Sequence, residues 1–179
     1  MQTKPLSYLS AFCGVLLLAG SPAEAQDCTS PPRNAQNVAV EVVDDTPSFI
    51  NRFCTGPGSR NGDLCNAAGA RPEMVFRLQG AGAATWAFVR MELSADGSNW
   101  SSPNLPAGAY DDLGFSSDPS DPDRVRGWPP VSLSGNGRQM TVQNDNCHAF
   151  EVHYRLLLRS DDGREVYLHP RLENGGIGG

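Results

Sequence analysis

Apolar and polar residues alternate with a period of two over short stretches, and glycine, proline, asparagine and aspartate separate those stretches. Val38-Ala39-Val40-Glu41-Val42 puts three valines on one face, and Asp44-Asp45-Thr46-Pro47 stops the run. Residues 44–73 read as irregular. Met74-Val75-Phe76-Arg77-Leu78 alternates again, and Gly80–Ala84 reads as a flexible connection. The stretch Thr85–Leu93 is the next strand, followed by the Ala95-Asp96-Gly97-Ser98 turn. Residues 101–130 are rich in proline and aspartate and poor in apolar side chains, so they read as a long surface loop.

Val131–Leu133 and Gln139–Val142 flank Gly135-Asn136-Gly137, which reads as a hairpin because those residues accept positive φ. Phe150–Leu158 is the strongest strand, with apolar even positions and Glu151, His153 and Arg155 outward. Ser160–Gly163 turns into Glu165–His169, and Pro170 ends that strand. The pattern predicts about seven strands and no amphipathic helix. That is an all-β, antiparallel, immunoglobulin-like sandwich carrying disulfides, with a small β-barrel as the alternative.

The N-terminus changes the picture of where this fold works. Lys4, the apolar run Ala11–Ala19, the Ser21-Pro22 break and Ala23-Glu24-Ala25 form the pattern of a signal peptide cut before Gln26. The apolar run is too short to span a bilayer. The expected organisation is a signal peptide over 1–25, an N-terminal arm over 26–37, the sandwich over 38–170 and a flexible tail over 171–179. Four cysteines remain after export, and an even number in an oxidising compartment reads as two disulfides. Cys54–Cys65 would close a glycine-rich loop, and Cys28–Cys147 would tie the arm to a strand end. Lys4 is the sole lysine among 14 basic residues, a bias that suits a GC-rich bacterial source and a periplasmic or extracellular location. Formal net charge is −6, which argues against nucleic acid as the partner.

Met91-Glu92-Leu93-Ser94-Ala95-Asp96-Gly97-Ser98-Asn99-Trp100 resembles the strand–Asp-Gly–Trp hairpin of fibronectin type III domains and of discoidin-type carbohydrate-binding sandwiches. The segment from Tyr154 to Gly176 is similar to the last hairpin of small bacterial proteins of unassigned role, whose final strand closes in Asp-Pro. Here His169 stands where the aspartate would be. Both resemblances imply a fold, and neither carries an activity with it.

Three constellations could carry chemistry. The histidines are His148, His153 and His169; His153 and His169 would be cross-strand neighbours, and with Glu151 they form a candidate copper or zinc ligand set. Asp111, Asp112, Asp118, Asp121 and Asp123 could offer oxygens to calcium, although the glycine and distal glutamate of a calcium loop are missing. Trp86, Phe88 and Arg90 would form an exposed aromatic platform if Ala87, Val89, Met91 and Leu93 pack the core. No Gly-x-Ser-x-Gly elbow or phosphate-cradling loop occurs. The expectation is an exported, non-catalytic binding or assembly module whose partner is a protein or glycan at the envelope or surface. The alternatives are a fibre subunit assembled by strand addition and a periplasmic metal-binding protein.

Overall fold

A computed structural model describes residues 32–101 and 103–176. The expected signal peptide, Cys28 and the end of the expected tail lie outside these residues. The described chain is an all-β sandwich of two five-stranded sheets, and neither sheet closes into a barrel. The first sheet contains β1 (Asn34–Val43), β2 (Thr46–Phe49), β4 (Pro72–Gln79), β6 (Val131–Leu133) and β7 (Gln139–Gln143), in the order β2-β1-β4-β7-β6. The second contains β3 (Leu64–Asn66), β5 (Trp86–Ser94), β8 (Ala149–Ser160), β9 (Glu165–Leu168) and β10 (Arg171–Gly175). Its order is β3-β10-β8-β5, with β9 also paired to β8.

The alternating runs face the interior as their pattern dictates. Val38, Val40 and Val42 meet Met74 and Phe76 from β4 and Met140 and Val142 from β7, all buried against Val152, Tyr154, Leu156 and Leu158 of β8. Phe76 and Tyr154 join the two layers with ring centroids 5.9 Å apart. Each such side chain stabilises the fold by about 1.5–3 kcal/mol relative to exposure.

Several expectations are corrected. Among the described residues ten strands form rather than about seven, and two pairings, β1 with β4 and β10 with β3, are parallel. Asp44 and Asp45 do not end the sheet. They turn it, with φ of 47° and 60°, into a two-residue hairpin that pairs Val43 with Thr46. The irregular stretch 44–73 holds β2 and β3, and residues 34–37 of the expected arm belong to β1. The surface loop 101–130 carries two short helices, α1 (Ala107–Asp112) and α2 (Pro122–Val125), and buries Leu105, Ala109 and Leu113.

Pro170 does not stop the second sheet. It bridges two strands that share one edge of β8: β9 pairs with residues 156–159, and β10 with residues 149–153. The Pro170 carbonyl accepts a hydrogen bond from Tyr154 N at 3.0 Å, so the ladder continues past the ring that lacks a donor. The first part of the expected tail, 171–175, is therefore an interior strand, with Leu172 and Asn174 buried. Cys54 and Cys65 are bonded as expected. Cys28 is not described, so its pairing with Cys147 remains an expectation.

Candidate functional site

The strand β5 contains a β-bulge between Phe88 and Arg90, and this one irregularity decides which side chains face outward. Before it, Trp86 and Phe88 point into the core at 2 % exposure each; after it, Met91 and Leu93 do. Both halves of the strand thus bury their larger apolar residues. The expected aromatic platform is corrected accordingly: Trp86 and Phe88 are core, and Trp86 Nε1 donates to Asp45 Oδ1 at 2.8 Å. Arg90 alone of that trio reaches the outer face.

Downstream of the bulge, Arg90, Glu92 and Ser94 project outward opposite Leu157, Arg155 and His153 of β8. Tyr167 of β9 and Arg171 of β10 complete the outer face of this sheet. Glu92 is 2 % exposed despite its charge. It accepts from Arg90 Nε on one oxygen and from Arg155 Nε on the other, the latter at 2.6 Å. Each guanidinium is in turn stacked on aromatic rings. Arg155 lies 4.4 Å from the Trp100 centroid and 4.1 Å from that of Tyr167, and Arg90 lies 4.6 Å from Trp128. Cation–π contact of this kind contributes about 0.5–2 kcal/mol per pair.

Two loops bring the tryptophans to the sheet. Asp96 accepts from Ser98 N, Asn99 N and the Ser94 hydroxyl, all at 2.9 Å, which winds the chain towards Trp100. Those donors hold the Asp96 carboxyl well below the ordinary carboxylate range, the backbone N–H of Asn99 first. Gly97, with φ of +71°, lies flat on the His153 ring, and a Cβ there would sit 2.8 Å from it. Gly127 accepts from Leu93 N at 2.8 Å and seats Trp128 beside β5. The result is a cleft of about 420 Å³ whose walls include Trp100, Trp128, Asn99, Arg126, Arg155 and Glu92. Both tryptophans are half-buried.

A second pocket of about 290 Å³ is reached from Trp100 through His169. The His169 ring meets Trp100 edge-on, with centroids 5.6 Å apart, and lines this second pocket with His153, Arg60 and Arg171. Burial and the Arg155 guanidinium lower the His169 pKa, in that order of weight. Asp63, at 1 % exposure, forms the floor. It accepts from Arg60 N at 2.8 Å and Arg171 N at 2.9 Å, and it faces the Arg171 guanidinium. The wall bearing Arg60 is the loop closed by Cys54–Cys65. The loop is also held by Gly62 N, which donates to Asn51 O, and by Tyr154 Oη, which donates to Gly62 O at 2.6 Å.

His153 and His169 both line this pocket, but they are not the cross-strand pair expected: the residue opposite His153 is Arg171 of β10, and His169 lies between β9 and β10. The proposed third ligand does not join them, because Glu151 turns to Arg171 Nη1 at 3.0 Å. Arg60 and Arg171 put positive charge beside the histidines, and among the described residues no three His, Cys, Asp or Glu side chains gather to hold a metal. His148 lies elsewhere, its Nδ1 2.9 Å from buried Asp112. The calcium set is likewise dispersed. Asp112 holds His148 and Asn174, Asp118 accepts from Ser120, and Asp121 caps α2 through Asp123 N. Asp118 and Asp121 serve a turn and a helix start, and Asp112 holds distant side chains, so they form no common centre.

Trp100, Trp128, Arg126, Arg155 and Glu92 were not singled out as site residues from the sequence. The available signal was the pair of charges Arg90 and Glu92 on a strand whose partner, β8, presents Arg155 outward. No protein-family model matches the chain, and a search of curated proteins returns no match.

Proposed function

We propose that this chain is an exported, non-catalytic binding module that takes a glycan in the cleft between Trp100 and Trp128. The observation that carries this reading is the pairing of two half-buried indoles with a polar lining of amide, hydroxyl and guanidinium groups. Sugar rings present apolar C–H faces that lie on aromatic rings and hydroxyls that pair with fixed donors and acceptors. The Glu92 carboxylate is bound on both oxygens by arginine, so it acts as a brace rather than a proton carrier. That arrangement favours recognition over hydrolysis.

A glycan array, followed by titration of the best polymer, tests the reading. The double variant Trp100→Ala/Trp128→Ala should bind at least about tenfold more weakly, a loss of about 1.4 kcal/mol. Unchanged affinity in that variant, or a blank array with the unaltered protein, removes the proposal.

A further inference from the structure

The two neighbouring pockets are cationic on an acidic protein. They are lined by Arg60, Arg126, Arg155 and Arg171 against the carboxylates Asp63 and Glu92, four positive groups to two negative. The whole chain carries −6. Arg155 is matched by Glu92, and Arg171 by Asp63 and Glu151. Arg126 and Arg60 have no carboxylate partner among the described residues. They stand one in each pocket, on either side of the Trp100–His169 contact. Arg126 is already oriented, with its guanidinium 5.0 Å from the Trp128 centroid, so little side-chain freedom is lost when it grips an anion.

We infer that the ligand is an acidic polysaccharide, whose repeating anionic groups meet Arg126 in the tryptophan cleft and Arg60 in the histidine-lined pocket. This rests on the glycan reading above. A guanidinium fork matches a carboxylate or sulfate in two parallel hydrogen bonds, whereas a neutral hydroxyl satisfies only one of its donors. Two unpaired guanidiniums in neighbouring pockets suit a chain with regularly spaced charges better than a single acidic sugar.

Matched polymer pairs separate the acid group from the backbone that bears it. Polygalacturonate is compared with its methyl ester, and dextran sulfate with dextran, by titration of the purified full-length protein. The inference expects at least one acidic member to bind about tenfold tighter than its uncharged partner. Arg60→Gln and Arg126→Gln should each reduce that binding about fivefold or more, weaken the uncharged partner clearly less, and keep the thermal melt of the unaltered protein. The acidic affinity should also fall between about 50 and 200 mM salt. Carboxylate and sulfate are told apart by which pair responds. Equal binding within both pairs, lost in the tryptophan double variant, leaves the glycan reading standing and overturns the acidic one. Binding to neither pair overturns the acidic inference too, as does equally tight binding of polyglutamate, which would show that charge alone is read.

Discussion

At the scale of single residues, the site depends on one buried carboxylate. Glu92 is the shared countercharge of two guanidiniums that contact three aromatic rings. Glu92→Gln leaves those cations without a countercharge on a half-buried face. The expected cost is about 2–3 kcal/mol, below the full value for a broken buried pair because the arginines keep some solvent. Urea unfolding measures it, and a change under about 0.5 kcal/mol would mean that the pair adds nothing. Four exposed aspartates, Asp45, Asp96, Asp118 and Asp162, are held below the usual carboxylate pKa. Their donors are led by Trp86, Asn99 N, Ser120 N and the Ser160 hydroxyl respectively. A depressed folded pKa contributes stability above the unfolded value near 3.9, and that stability disappears as pH falls through the folded value. Melting temperature should hold down to about pH 5 and fall below about pH 4, less steeply in Asp96→Asn. A profile flat to about pH 2 contradicts this. Little of this bracing was legible in the sequence, because a charged residue on an outward position looks the same whether solvent or an arginine pair receives it.

At the scale of elements, period-two patterning, with turn signals, located β1, β4, β5, β6, β7, β8 and β9. It failed where one residue altered the period: the bulge in β5 let Trp86 and Met91 share an interior that strict alternation divides between two faces. It failed also for β10, because Leu172 is the single apolar residue in Arg171–Gly175 and the inward neighbour is Asn174. That asparagine is buried by other amides. Its Oδ1 accepts from Asn66 and Asn144, and its Nδ2 donates to Asn144 and Asp112. A mutual set of polar partners cannot be read from hydropathy. Replacing Asn174 with Leu strands those groups and should cost about 3 kcal/mol or more by chemical denaturation. Sulfur contributes separately. Cys54→Ser/Cys65→Ser should lower stability by about 3 kcal/mol through the freed loop. It should also weaken ligand contacts made through Arg60 while sparing those at Trp128. Equal loss at both pockets would mean that the bridge supports the sheet rather than the pocket wall.

At the scale of the whole molecule, the site is assembled from distant stretches: a disulfide-closed loop, the outer residues of four strands, the turn that ends in Trp100, and a segment of the loop 101–130 that carries Arg126 and Trp128. Arg90 and His153 were legible because they occupy outward strand positions, and His169 because it directly follows a strand, between β9 and β10. Trp100 and Trp128 were not, since only the seating of Gly97 and Gly127 against the sheet decides where those rings land. Three sheet margins are short, with four residues in β2 and three each in β3 and β6; the fourth, β5, has nine residues, but its free side gives Phe88 N to Gly137 O and Leu93 N to Gly127 O, so loops cover part of it. Short margins offer little backbone for another chain to extend. Light scattering after size exclusion should therefore give the mass of one chain, and higher assemblies would revive strand addition as the working mode. The parallel seam between β3 and β10 has a kinetic consequence. Its buried Asn66–Asn174 hydrogen bond joins residues 108 positions apart. Few local contacts reward β3 before its neighbour arrives, so the closure entropy of that long intervening stretch falls on the folding barrier. Stopped-flow refolding should run on the millisecond-to-second scale, with Leu64 ordered late and a small effect of Leu64→Ala on the folding limb of its chevron.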